Sequence, residues 1–442
     1  MESTLRSPPE KEASDENDVE PGPARPFSRL FAAFIRLRTF EALRYREFRL
    51  LWLGEIFRSM ATWMDQVARG WLIYELTDST VQLGLVRGVQ AIPVLLLSPV
   101  AGSAADRLPR KIQVMVAQLL DGLMFAVVAA LIISEEIRPW HVYVTAFAMA
   151  CVQTFQQPAR AAMVADAVPS SHLTNAIGLN SIVFNLARST GPAVAGVLIA
   201  TFGTAGSYVA QAAFYFMATA WTAQIRMENL SPSESRGRGR RHGSFGRSIL
   251  EGWKFSWRNE TVRAGLLITM FASFFIIPFT TLLPVFARDL LGVGATGQGL
   301  LLTAMGLGAL CSAFLIASLG DRMQRGVLML AGVSLYGIGV IAFSASRWFE
   351  LSLVLMAITG ATHVSSHALV QTVIQTYSPS ELRGRTMAIF QMGHVLLTLG
   401  SLFIGSLALL VGARWAVALM GAAGALAILA IAIALPRTRY IR

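Results

Sequence analysis

Runs of about twenty apolar residues recur along almost the whole chain, and this repetition limits the possible folds more than any other feature. A helix of about 20 residues crosses the roughly 30 Å of hydrocarbon in a bilayer. Of the 442 residues, 54% are hydrophobic and 14% are charged, against about a quarter charged in ordinary soluble domains. The unit of organisation is therefore the membrane span, not the soluble domain. The net charge of +11 would raise nucleic-acid binding in a soluble protein. Here the arginines cluster between apolar runs, as in cytoplasmic loops of membrane proteins, so no nucleic-acid partner is expected. Cys151 and Cys311 lie far apart inside apolar segments and imply neither a disulfide nor a metal site.

Windows of this length place spans at 49–75, 81–104, 112–134, 140–160, 173–202 and 205–226, then at 262–288, 296–318, 327–345, 349–376, 384–411 and 414–436. The expected fold is an all-α integral membrane protein with twelve transmembrane helices in two six-helix, pseudo-repeated halves. Its parts are a cytoplasmic tail with a basic surface helix (1–47), a first bundle (48–226), a basic cytoplasmic linker (227–260), a second bundle (261–436) and a short tail (437–442). Residues 7–26 are rich in Pro, Glu, Asp and Ser and lack the apolar core of a signal peptide, which reads as a disordered tail. Residues 27–48 alternate Arg with Phe, Leu and Ile at helical spacing, which suits a helix lying on the membrane surface.

Alternate connections carry the basic residues, including the turn with Arg107, Arg110 and Lys111, the middle loop with its RGRGRRHGS run, and the turns with Arg322 and Arg383. The others hold only Arg138, Arg288, Arg347 and Arg414. The positive-inside rule then puts both termini in the cytoplasm, in a cell (plasma or inner) membrane. The halves also echo one another. Gly84 lies 22 residues before Asp106 and Gly299 lies 22 before Asp321, and Pro169-Ser170 and Pro379-Ser380 each lead into a fifth span. Such duplication is common in transporters, whose substrate sites lie between repeats.

The turn after the second span reads GSAADRLPRK over 102–111. Gly102 permits close helix packing, Asp106 is able to cap a neighbouring helix, and the basic cluster anchors the turn in the cytosol. The pattern GxxxDRxxRK resembles the signature loop of the major facilitator superfamily. That resemblance makes Gly102, Asp106, Arg107, Arg110 and Lys111 gating residues that latch two halves together. The second copy, at 317–325, has lost its first glycine. The fifth span carries Gly178, Ala187, Gly191, Pro192, Ala195 and Gly196. This is similar to the antiporter motif of drug exporters in that superfamily, with two glycines replaced by alanine. Thr62-Trp63-Met64, the segment from Trp71 to Thr77, Pro158-Ala159-Arg160 and the segment from Phe184 to Arg188 resemble its enterobactin-exporter-like branch.

Charge inside the spans is the main clue to the site. On the first span Glu55, Arg58, Thr62, Asp65 and Arg69 recur at spacings of three and four and share one face. Ionisable groups in hydrocarbon are costly, so this face looks into a bundle or a wet cavity. Asp65 and Glu55 are the candidate proton-coupling groups; the alternative for Asp65 is an assembly ion pair with Arg69. Arg188, on the fifth span, either pairs with Asp65 or Glu55 or faces an anionic substrate. Arg58, Arg69, Arg87 and Gln153 are further candidates for the substrate cavity, and Asp121 is expected at the periphery. His363 and His367 lie four apart on the tenth span and are read as cavity-lining candidates; no HExxH motif or carboxylate completes a metal site.

The best-supported function is secondary active transport by alternating access, with a proton-coupled exporter of a small amphipathic or anionic molecule, siderophore-like or drug-like, as the leading form. The alternatives are a lysolipid transporter or flippase, or an uptake permease of the same fold. A different class would be a transport-inactive membrane receptor. No Walker A or GxSxG motif occurs, so neither ATP-driven transport nor enzymatic activity is expected. No cofactor or metal is expected. The expected partners are a small-molecule substrate, protons and membrane lipid, with the chain acting as a monomer.

Overall fold

The computed structural model describes residues 38–226, 245–319 and 325–435. The N-terminal tail to residue 37, most of the basic linker, the turn at 320–324 and the tail from 436 lie outside these residues. So do the side chains of Asp106 and His394.

The described chain is helical almost throughout. Helix α1 covers Arg46–Thr77, α2 Thr80–Arg107, α3 Arg110–Ile133, α4 Pro139–Asp166 and α5 Leu173–Ala223. Local chemistry sets the ends. Asp78 adopts a left-handed conformation (φ 47°), and its N–H donates back to the Tyr74 carbonyl, closing α1. Pro109 precedes α3, and Pro139 opens α4, where a missing N–H costs nothing.

After the linker come α6 (Phe245–Arg258) and α7, which runs from Glu260 to Leu290. Helix α8 spans Gly294–Leu319, α9 Arg325–Ala345, α10 Phe349–Tyr377, α11 Ser380–Gln391, α12 Gly393–Val411 and α13 Ala413–Ala434.

Four expected spans are built differently. The fifth and sixth form one 51-residue helix, α5, broken in direction at Gly203 (φ 71°, ψ 176°), a conformation open to glycine. The seventh, α7, passes through π turns at Ala272–Ile276 and Phe286–Leu290 and a 3-10 stretch at Ile277–Leu282 that contains Pro278. The eleventh is interrupted at Met392, between α11 and α12. Among the described residues nine helices are long and apolar enough to cross a membrane. Helices α1 and α4 match them in length, at 32 and 28 residues, but carry more polar groups.

The expected surface helix is different too. Residues Arg38–Arg44 form a 3-10 turn, and Ala42 and Phe48 are fully buried with Leu179 and Ala176 of α5. The Ala42 N–H donates to Asn175 Oδ1 at 2.9 Å. This part of the arm docks on the bundle because its apolar face has a protein partner there. The end of the expected linker is also ordered: α6 packs on α11, where Arg385 pairs with Glu251.

Helix α1 packs on α5, α3 on α4 and α5, and α9 on α10 and α13. Two crossings join the early helices to the late ones, α2 on α12 and α5 on α8. Both are built on glycine. A Cβ on Gly84 would stand 2.5 Å from the Ser401 carbonyl, and one on Gly196 would stand 2.6 Å from that of Ala295. Gly299 faces the Pro192 carbonyl in the same way. The two echoed glycines thus occupy the two crossings, where backbones touch.

Candidate functional site

A cavity of about 720 Å³ lies between α1, α2, α3, α4, α5, α7 and α8. Helical periodicity creates its polar wall. Arg58, Thr62, Asp65 and Arg69 of α1 all line it, as do Leu83, Arg87, Gln90, Val94, Ser98 and Gly102 of α2. Helix α4 contributes Gln153 and Gln157, and Trp63, Phe125 and Phe184 supply aromatic surface.

The charges on this wall differ in how far they are neutralised. Glu55 is 3% exposed and sits behind the wall. It accepts from Arg58 Nε at 2.6 Å and Nη2 at 2.7 Å, and from Ser59 Oγ at 2.7 Å. Arg160 Nη2 is 2.9 Å from the same carboxylate. Asp65 Oδ2 accepts from Arg69 Nε at 2.8 Å, while its Oδ1 is buried without a hydrogen-bond partner. Arg69 also reaches the Val142 carbonyl, Thr145 Oγ1 and Met149 Sδ, which fixes it against α4. Arg87 lines the cavity and makes no hydrogen bond or ion pair among the described residues.

Several expectations need correction. Arg188 does not pair with Asp65 or Glu55. Its guanidinium lies over the Trp63 ring, 5.6 Å from the centroid, because that face of α5 meets α1 at an aromatic side chain. Asp121 is not peripheral. It is 0% exposed, and neither carboxyl oxygen has a hydrogen-bond partner, because α3 is packed between α4 and α5. His363 and His367 do not line the cavity. The His363 ring stacks on Tyr336 with centroids 4.9 Å apart, since α10 is packed against α8 and α9.

The loop after α2 makes its described contacts within the early helices. Arg110 pairs with Asp166 at the end of α4, and Lys111 Nζ donates at 2.8 Å to the carbonyls of Ala223 and Ile225. Arg107 is exposed, and the Asp106 side chain is outside the described residues. Gly102 does not serve close packing, for a Cβ there would meet nothing within 4 Å. In the α5 motif, a Cβ on Gly191 would lie 2.8 Å from Trp63 Cβ, whereas Gly178 faces open space.

Two features were missed in the sequence. Arg160 stands in the sequence only within a family-like triplet, yet it completes the Glu55 cluster. At the cavity end opposite Gly102, the Tyr74 hydroxyl donates to Asp289, and Arg288 pairs with both Asp78 and Asp289. The only sequence signal for this cluster was an acidic residue beside Arg288 in a connection otherwise poor in charge.

The family described as transmembrane secretion effector matches residues 37–440. The multidrug efflux pump Tap of Mycolicibacterium fortuitum is 27% identical over 350 residues, covering 77% of this chain and 84% of Tap. The staphyloferrin A transporter of Staphylococcus aureus is 22% identical over 349 residues, covering 78% of this chain and 85% of that protein. Among solved structures, a bacterial homolog of the human lysosomal transporter Spinster superposes with a TM-score of 0.68 at 14% identity, covering 89% of this chain and 98% of that one. That likeness carries the fold. The chain belongs to the transmembrane secretion effector family, a branch of the major facilitator superfamily of membrane transporters.

Proposed function

We propose that this chain is a proton-coupled secondary exporter of a small amphipathic or anionic molecule, working as a monomer by alternating access. In this reading twelve spans form two halves, 48–226 and 261–436, joined by a basic linker at 227–260, with both termini in the cytoplasm. Helices α1 and α4 are spans that tolerate charge because they face the cavity, and α5 counts as two spans, on either side of Gly203. The observation that carries the reading is the cavity itself. It runs to Gly102 beside the basic turn and, at its other end, to Ile73 and Pro284, next to the cluster of Tyr74, Asp78, Arg288 and Asp289 that joins α1 to α7. A site accessible from one side at a time is what alternating access requires.

Asp65 is the proposed proton carrier. It stands on the cavity wall with one oxygen held by Arg69 and the other without a partner. Glu55 is less suited, because two guanidinium groups already hold it. Export and drug-like or siderophore-like cargo draw support from the relatives, which include a multidrug efflux pump and a staphyloferrin A transporter.

The test is reconstitution in liposomes with an internal pH dye, an imposed proton gradient and a panel of anionic, neutral and cationic compounds. Compound-dependent proton flux that disappears in Asp65→Asn is the expected result. Flux that survives in the variant moves the coupling group elsewhere. Binding without flux for every compound overturns coupled transport and favours a receptor.

A further inference from the structure

Arg87 stands at the wall of the cavity with no hydrogen bond or ion pair among the described residues. Asp65 attracts it only at longer range, and the helices around it supply no carboxylate free to pair with it directly. Helix α2 has a single acid, Asp106, 19 positions further on, which at 1.5 Å per residue is about 28 Å away. Helix α4 packs on α2, and its one acid is Asp166, its last residue. Helix α12, on the other side of α2, has none. On α1, Glu55 is occupied by Arg58 and Arg160, and Asp65 by Arg69.

An arginine left unpaired at membrane depth is costly unless something else provides the negative charge. Asp65 is the nearest group with spare capacity, through Oδ1, yet that oxygen does not bond to Arg87. An open cavity would admit water to solvate the guanidinium. A bound ligand that displaces the water must bring its own anion. The same cavity wall also carries apolar and aromatic side chains, among them Val94, Phe125 and Leu302. A guanidinium beside such a surface matches an oxyanion attached to an apolar body, since its planar fork takes a carboxylate through two parallel hydrogen bonds.

We propose that the cargo is an amphipathic organic acid whose carboxylate seats on Arg87. The assignment rests on the transport reading and narrows it, from amphipathic or anionic to both at once. Arg188 does not share the role, because it lies outside the cavity wall with its charge over Trp63. Cationic compounds would meet Arg58, Arg69 and Arg87 on the same wall and are disfavoured.

The experiment uses the full chain in lipid nanodiscs and two matched probe pairs: dansyl-phenylalanine with its carboxamide, and naphthoxyacetic acid with its carboxamide. Binding is read by probe fluorescence for wild type, Arg87→Gln and Arg87→Lys. The expected result is at least tenfold preference for each acid over its amide. Arg87→Gln abolishes that preference, and Arg87→Lys keeps part of it, which excludes misfolding as the cause. Equal binding of acid and amide by wild type, an acid preference that persists in Arg87→Gln, or no binding of either acid would each overturn the proposal. The transport reading fails separately, by absence of proton flux with every class of compound in the liposome assay.

Discussion

The guanidinium of Arg288, on α7, lies 4.2 Å above the ring of Tyr74, on α1, and the Tyr74 hydroxyl donates to Asp289 beside it. Arg288 also pairs with Asp78, one residue past the end of α1. Four side chains thereby tie the end of the first span to the end of the seventh. The Asp78 side chain is 73% exposed and that of Arg288 33%, so each pair is weak by itself; exposed ion pairs contribute roughly 0.2–1 kcal/mol.

The cluster should act as a latch that sets a population, not as a rivet. Arg288→Ala removes both ion pairs and the ring contact, and is expected to shift the ratio of closed to open states by about tenfold, on the scale of ~1.4 kcal/mol. The check is disulfide trapping. Gly70→Cys with Pro284→Cys leaves the cluster intact and joins α1 to α7 where a Cβ on Gly70 would stand 3.5 Å from Pro284 Cγ; it should cross-link readily in the resting protein, more slowly once Arg288→Ala is added, and stop transport until reductant is added. Failure to cross-link would mean that this end is not closed in the resting state.

Two glycines, Gly84 on α2 and Gly178 on α5, should respond in opposite ways. Gly84→Ala places a Cβ against the Ser401 carbonyl and forces α2 and α12 apart; overpacking of this kind typically costs about 1–3 kcal/mol. Gly178→Ala meets nothing within 4 Å and gains up to about 1 kcal/mol of helix propensity. Thermal unfolding in detergent should therefore fall by several degrees for Gly84→Ala and hold or rise for Gly178→Ala. Equal losses in both would show that the α5 motif packs against something absent from the resting arrangement.

Arg188→Met tests whether a half-buried cation is being tolerated for function. The charge lies over the Trp63 ring, a contact contributing about 0.5–2 kcal/mol, with Tyr336 as a further partner at longer range. Placing an arginine at membrane depth costs about 2.5–3.5 kcal/mol. Methionine fills similar space without charge, so the variant is expected to unfold at the same or a higher temperature. A loss of several degrees would reveal a counter-charge that forms in another state.

Most of the helical framework was legible in the sequence because lipid leaves so few choices. A span must satisfy its own backbone and be about 20 residues long, so apolar runs report directly on helices. The stripe from Arg58 to Arg69 was equally plain, since the helical period puts charges on one face and hydrocarbon forbids that face to lipid. Pairing was not legible. Whether Asp121 faced lipid or the interior depended on which neighbours α3 acquired, and whether Arg188 met a carboxylate or Trp63 depended on the rotation of α5 against α1. The cluster of Tyr74, Asp78, Arg288 and Asp289 joins residues more than two hundred positions apart, and no local period encodes such a contact. The break at Gly203 was hidden for the opposite reason: a glycine between two apolar runs looks like a loop, whereas one left-handed residue sufficed to turn the helix.

The two acids of the α1 stripe should separate cleanly when neutralised. Glu55→Gln leaves Arg58 and Arg160 without their shared carboxylate, and removing one partner of a buried ionic cluster costs about 3–5 kcal/mol. Asp65→Asn keeps an oxygen for Arg69, which retains Val142, Thr145 and Met149 as further contacts; a weakened charged hydrogen bond costs about 1.5–3 kcal/mol. Glu55→Gln is therefore expected to lower both the yield of monodisperse protein and the unfolding temperature, while Asp65→Asn folds and loses proton flux. The combination matters more than either result alone, because a variant that fails to fold says nothing about coupling. If Glu55→Gln were stable and lost proton flux while Asp65→Asn kept it, the two roles would be exchanged. The cluster of Glu55, Arg58 and Arg160 would then be the element that opens and re-forms during the transport cycle.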